Sequence, residues 1–324
     1  MSAISDAEYA ILAAAAYRDD DDDTSFPEDV NLPSGWTEVK LEVDGSDTDG
    51  LHYKVFTKGN ELVISFRGTD EWLGIPADSD DFDAAIGSWS EQVYLAFKET
   101  LKIILDNPGK NVSFTGHSFG GGLASLMAVW FGREATIFDS APFEKSAFNL
   151  PAYIDRYLND NFSAKARVFE RGYAAEFTPE VAQFHQLAVA GEQAVRSTFL
   201  SREQHIAHVF LRGEGVQWLR QEHSLLDNLP NNAFNLLPQP TIQSGMGRMI
   251  DLGAAAGPKD MHSMNFLAML VNSENLESAI RANPRALSML FDSDKYVSPS
   301  DDAFFAKLLN LHSVNRIPAR SILD

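Results

Sequence analysis

The residues best placed to do chemistry are Gly116-His-Ser118-Phe-Gly120, which match the pattern G-x-S-x-G. A serine hydroxyl is a poor nucleophile unless it is exposed, aimed and close to a base. The flanks suit that need: apolar residues 112–114 read as a strand, and Gly121, Gly122 and Ala124 open a helical run. A tight strand-to-helix turn strains the serine backbone and requires small neighbours two residues away, the places of Gly116 and Gly120. The start of the next helix also presents backbone N–H groups and a positive dipole end to a developing oxyanion. Phe119, directly after the serine, supplies the first such N–H. A second donor is expected where the apolar run Leu62-Val-Ile-Ser-Phe66 ends in Arg67-Gly68-Thr69. There Gly68 permits close approach, and Thr69 offers both N–H and hydroxyl. The chemistry of such a set is acyl transfer through a covalent intermediate on Ser118.

The elements that must hold these residues follow from the hydrophobic pattern. Ser5-Asp-Ala-Glu8 is a capping box opening a helix over residues 9–17. The acidic run 19–23 reads as a solvated loop, since it lacks the spaced ligands and glycine of a calcium loop. Strands are predicted over 39–43, 51–57 and 62–66, a helix over 85–107, and a strand over 111–115. A helix over 121–131 and a strand over 135–138 come next. Residues 143–204 are mostly helical, with Pro179 at a first helical position, and precede a strand over 206–211. Residues 225–239 read as a loop, 241–252 as a hairpin, and the tail from 265 as helical with a break at Pro284. Strand and helix alternate, which argues for parallel pairing with right-handed crossovers. The expected architecture is a single α/β domain over 1–324 with a helical cap insertion at 143–204.

Composition removes several classes of function. The 324 residues contain no cysteine, so disulfides, thiolate catalysis and Cys-ligated metals are out. The net charge of −20 disfavours nucleic acid and anionic membranes as partners. No apolar run is long enough to span a bilayer as a helix, and residues 1–6 carry no basic n-region. The expectation is a soluble chain without a signal peptide, exported, if at all, by a signal-independent route.

The segments Phe66-Arg-Gly-Thr69 and Gly116-His-Ser-Phe-Gly-Gly121, with the order of elements around them, resemble the class 3 (fungal-type) lipases and their bacterial relatives. The resemblance covers roughly residues 9–142. It implies an α/β-hydrolase fold with a mostly parallel central sheet and helices on both faces. It also implies Ser118 as nucleophile, with Thr69 and Phe119 forming the oxyanion hole.

In that fold the chain order is serine, acid, histidine. His262 lies in a turn after Gly257-Pro258 and just before a helix, and His262-Ser263 resembles the His-Ser pair of the relatives. His223 and His312 are the other candidates for the base. His185 falls inside a helix, and His205 and His208 border a strand. The acid is expected at Glu214, in Gly213-Glu-Gly-Val216 after the 206–211 strand, where the relatives carry Asp. Asp139 and Asp227 are its alternatives. The implied activity is cofactor-free and metal-free hydrolysis of an acyl ester or lipid, with transient contact to a lipid interface. A phospholipase A1-type effector and a catalytically silent binding protein are the alternatives.

Overall fold

One sheet with two apolar faces organises the chain, and each face meets its own helices. The computed structural model describes residues 4–17, 30–40, 50–68, 89–161, 179–190, 192–214, 216, 247–252, 260–273, 275–283 and 308–310. The strands are β1 (Thr37–Glu38), β2 (Tyr53–Lys58), β3 (Glu61–Phe66), β4 (Asn111–His117), β5 (Ala135–Phe138), β6 (Ile206–Leu211) and β7 (Gly247–Ile250). Among the described residues they pair in sequence order, β1 to β7. β1, β2 and β3 are antiparallel; every later pairing is parallel.

Successive side chains on a strand point to opposite faces. Val55, Ile64, Phe114 and Ile137 therefore enter one core, while Phe56, Val63, Phe138 and Val209 enter the other. The first core receives α2 (Glu91–Asp106), α3 (Phe119–Phe131), and helices between β5 and β6: α4 (Glu144–Ala147), α5 (Leu150–Asn161), α6 (Pro179–Val189) and α7 (Glu192–Glu203). Right-handed crossovers that always step to the adjacent strand deliver their helices to the same face. The opposite face is consequently left to segments outside those crossovers. It is covered by α1 (Asp6–Ala15), α8 (Met264–Asn272) and α9 (Leu276–Ala282), with α1 packed on α8.

Local chemistry explains the ends of these helices. At α1, Ser5 Oγ accepts from the Glu8 N–H at 3.2 Å, and Glu8 Oε2 accepts from the Ser5 N–H at 3.1 Å. The other Glu8 oxygen accepts from Lys58 Nζ at 2.7 Å and Trp36 Nε1 at 3.0 Å, tying α1 to the sheet edge. Burial alone would raise the Glu8 carboxyl, but these donors together lower it to about 2. α3 ends at Gly132, in the left-handed region at φ 62°. There Arg202 from α7 donates to the carbonyls of Val129 and Trp130 at 2.8 and 2.7 Å.

Two expectations need correction or restriction. The predicted hairpin over 241–252 is, in its described part, a single strand: Gly247–Ile250 pairs parallel to β6. Alternation marks a strand but does not name its partner, and the partner lies some forty residues upstream. The predicted 39–43 strand gives way to Thr37–Glu38, after which the Val39 N–H donates to the Val55 carbonyl; the rest of that strand lies outside the described residues. The segment 143–204 contributes Tyr153, Ile154, Phe184 and Phe199 to the first core, so its described helices are built into that core beside α2 and α3. Among the described residues, no helix is long and apolar enough to cross a membrane.

Candidate active site

β4 runs directly into Ser118, which has φ 57° and ψ −127°, a conformation that residues bearing a Cβ seldom hold. Backbone bonds over-determine it. The Ser118 N–H donates to the Phe138 carbonyl at 3.0 Å, and the Ser118 carbonyl accepts from Ala141 and Gly122 at 2.9 and 3.2 Å. Helix α3 begins at Phe119, two residues before the sequence pattern places its start. A Cβ on Gly116 would overlap the Gly120 carbonyl oxygen, and one on Gly120 would overlap that of Phe66. The two glycines thus let β4, α3 and the end of β3 crowd around the serine. As the first residue of α3, Phe119 has an N–H with no intrahelical acceptor four residues back.

The second chain segment at the site follows β6. Gly213, at φ 88°, reverses the chain, and the Glu214 N–H donates to the Leu211 carbonyl at 3.4 Å. This short turn offsets the extra methylene of Glu relative to Asp. Glu214 Oε2 accepts from the Val216 N–H at 2.7 Å and lies 2.7 Å from His262 Nδ1.

His262 closes a 3₁₀ turn (Asp260–His262), and Ser263 caps α8 by accepting from the Phe266 N–H at 3.2 Å. Its Nε2 is 2.8 Å from Ser118 Oγ. An ionised carboxylate only accepts, so the contact at Nδ1 puts the ring proton there and turns the Nε2 lone pair toward the hydroxyl. His262 is 8% exposed and Glu214 3%, so the imidazole–carboxylate pair is shielded from water while Ser118 stays partly exposed. Ser118, His262 and Glu214 come together across 144 residues of chain, and the arrangement can move a proton from the serine oxygen.

The remaining candidates are engaged differently or lie outside the described residues. Asp139 is fully buried at φ 40°, and its Oδ1 accepts from the Leu211 N–H at 2.8 Å, which ties it to β6. His208 accepts from the Ser140 N–H at 3.3 Å, and His185 lies in α6. Thr69, Asp227, His223 and His312 lie outside the described residues. His117, Asp139 and His262 bring donor atoms within 4.8 Å of one another, a spacing that suits a cation. A metal there would have to draw a nitrogen of His262 away from Glu214 or Ser118. Sequence reasoning did not single out Tyr17, whose hydroxyl lies 2.8 Å from His117 Nδ1 and accepts from the Gly68 N–H at 3.0 Å.

The fold and site define an α/β protein with its serine on a strained strand-to-helix turn beside an imidazole and a buried carboxylate. Residues 8–157 match the family model described as a Tle-like phospholipase domain, among phospholipase-like proteins, which supports a lipase-like hydrolase. The matched span holds Ser118 and ends before Glu214 and His262. Among solved structures, the Lip2 lipase of Yarrowia lipolytica aligns at 13% identity over 66% of this chain and 72% of that chain, with a TM-score of 0.31. No curated protein sequence matches the chain.

Proposed function

We propose that the protein is a serine carboxylic-ester hydrolase acting on phospholipid or similar lipid esters through an acyl-enzyme. The observation that carries this is the line Ser118 Oγ, His262 and Glu214 Oε2, with contacts of 2.8 and 2.7 Å on a strained elbow. The phospholipase-like match over residues 8–157 supports the choice of a lipid ester.

In the first half-reaction, Ser118 Oγ attacks the acyl carbonyl carbon while its proton passes to His262 Nε2. Glu214 faces the imidazolium that forms and stabilises it. The carbonyl oxygen becomes an oxyanion held by the N–H of Phe119 and by Thr69. Collapse breaks the ester bond, and the departing alcohol takes the proton from His262. Water then repeats the sequence on the acyl-Ser118 ester, releasing the fatty acid and restoring the hydroxyl.

The test is release of fatty acid from phosphatidylcholine vesicles beside a p-nitrophenyl ester series of rising chain length, with wild type and Ser118→Ala. Turnover by wild type alone, rising with acyl length or with vesicles, is expected. Equal rates for the two proteins, or none on any ester, would overturn the proposal.

A further inference from the structure

We propose that Tyr17 is a positioning residue that holds the oxyanion-hole loop in place through the backbone of Gly68; this rests on the ester-hydrolase reading. Tyr17 follows the end of α1, on the face of the sheet opposite the elbow helix α3. Its phenol reaches the end of β3, where Oη accepts from the Gly68 N–H at 3.0 Å. Gly68 immediately precedes Thr69, the residue assigned to the second oxyanion contact.

The fit leaves little freedom. A Cβ on Gly68 would stand 2.6 Å from Tyr17 Oη, 2.8 Å from the His117 carbonyl oxygen and 3.0 Å from Ser118 Cβ. Gly68 is thus wedged between the phenol and the serine turn, and only glycine leaves room. The Arg67 guanidinium lies 6.0 Å from the centre of the Tyr17 ring, a second attachment of the same loop.

The same phenol oxygen lies 2.8 Å from His117 Nδ1. The His117 ring in turn lies 4.6 Å, centre to centre, from the His262 ring. Tyr17 thereby links the two sides of the reaction centre: the loop that receives the oxyanion and the imidazole that receives the proton. A phenol suits the task because its oxygen reaches both the Gly68 N–H and His117 Nδ1; phenylalanine fills the same space and bonds neither.

The experiment compares Tyr17→Phe with Tyr9→Phe. Tyr9 lies within α1 itself, and its hydroxyl donates to Ser113 Oγ at 2.8 Å. Loosening the loop should lower kcat about tenfold to a hundredfold in Tyr17→Phe, with KM nearly unchanged. An alkyl boronic acid, which mimics the tetrahedral adduct on serine, should lose affinity by a similar factor. Amide exchange at Gly68 should quicken. Tyr9→Phe should lower Tm and leave kcat alone. If Tyr17→Phe does not fold, difluorotyrosine at position 17 tests the same contact when assayed at a pH that keeps its phenol protonated, because the neutral fluorinated phenol is a weaker acceptor and should also lower kcat. A folded Tyr17 variant with wild-type kcat and wild-type Gly68 exchange would overturn the positioning role while leaving the hydrolase reading intact. A wild-type Ser118 that neither reacts with a fluorophosphonate nor turns over any ester would overturn the hydrolase reading, and this inference with it.

Discussion

Replacing Glu214 by Gln removes a buried charge from beside the base while keeping the shape of the side chain. The glutamine carbonyl oxygen can still accept from the Val216 N–H, now held at 2.7 Å by Oε2, so the turn after β6 should persist. What is lost is the attraction between the carboxylate and the imidazolium that forms when Ser118 gives up its proton. The two groups touch at 2.7 Å, and both are almost fully buried. Taking their charge centres at about 4 Å and an effective dielectric of about 20, the attraction is about 4 kcal/mol. That corresponds to roughly a thousandfold in rate, from which the amide dipole recovers about tenfold. The expected loss in kcat is therefore about a hundredfold to a thousandfold. Initial rates on p-nitrophenyl butyrate measure it, with circular dichroism and Tm verifying that the variant is folded. A folded Glu214→Gln enzyme within threefold of wild type would refute the reasoning. If Asp139→Asn were then crippled, the acid would move to the end of β5.

Ser118→Ala should keep the fold and lose several orders of magnitude in turnover, and fluorophosphonate should label the wild type at Ser118 and nowhere else; mass spectrometry reads the site. Gly120→Ala should unfold the elbow rather than tune it, because its Cβ would overlap the Phe66 carbonyl oxygen, and a large fall in Tm is expected. Glu8 is held at about 2 in the folded chain against an ordinary 4.5, so its donors stabilise the fold above pH 4.5 and that contribution fades as pH falls toward 2. Glu8→Gln should accordingly be about 2 kcal/mol less stable than wild type at pH 7, and the gap should narrow toward pH 2 in urea titrations. Arg202→Met should cost about 2–3 kcal/mol, since two buried carbonyls at the end of α3 lose a charged donor.

Much of this arrangement was legible where the signal is local. The capping box at Ser5 and Glu8 and the glycines flanking Ser118 are read from neighbours in sequence, and each has its expected geometry. Chain order narrowed the distant partners without choosing among them: Glu214, Asp139 and Asp227 were all open as the acid. What separates the first two is the direction of each carboxylate, since Glu214 faces His262 and Asp139 Oδ1 faces the Leu211 N–H. Side-chain direction depends on how the turn at Gly213 folds back, which no periodicity encodes. Tyr17 was illegible for the same reason. It carries no motif, and its contact to His117 spans 100 residues. The described part of the expected 241–252 hairpin pairs instead with β6, some forty residues upstream, a partner that alternation does not name.

Among the described residues the sheet grows strictly from one neighbour to the next, and the segment bearing His262 arrives only after all seven of its strands. A ribosome therefore makes Ser118 long before His262. When Ser118 has emerged, the face formed by Phe56, Val63 and Phe138 still lacks α8, the helix that His262 leads into. An unfinished chain would carry its serine without a partner able to take the proton. On the proposed mechanism, a ribosome-bound chain stays harmless to the lipids around it until α8 docks on α1. Completion of the fold and onset of hydrolysis would then be a single event, and a cell making this protein would be spared its activity during synthesis.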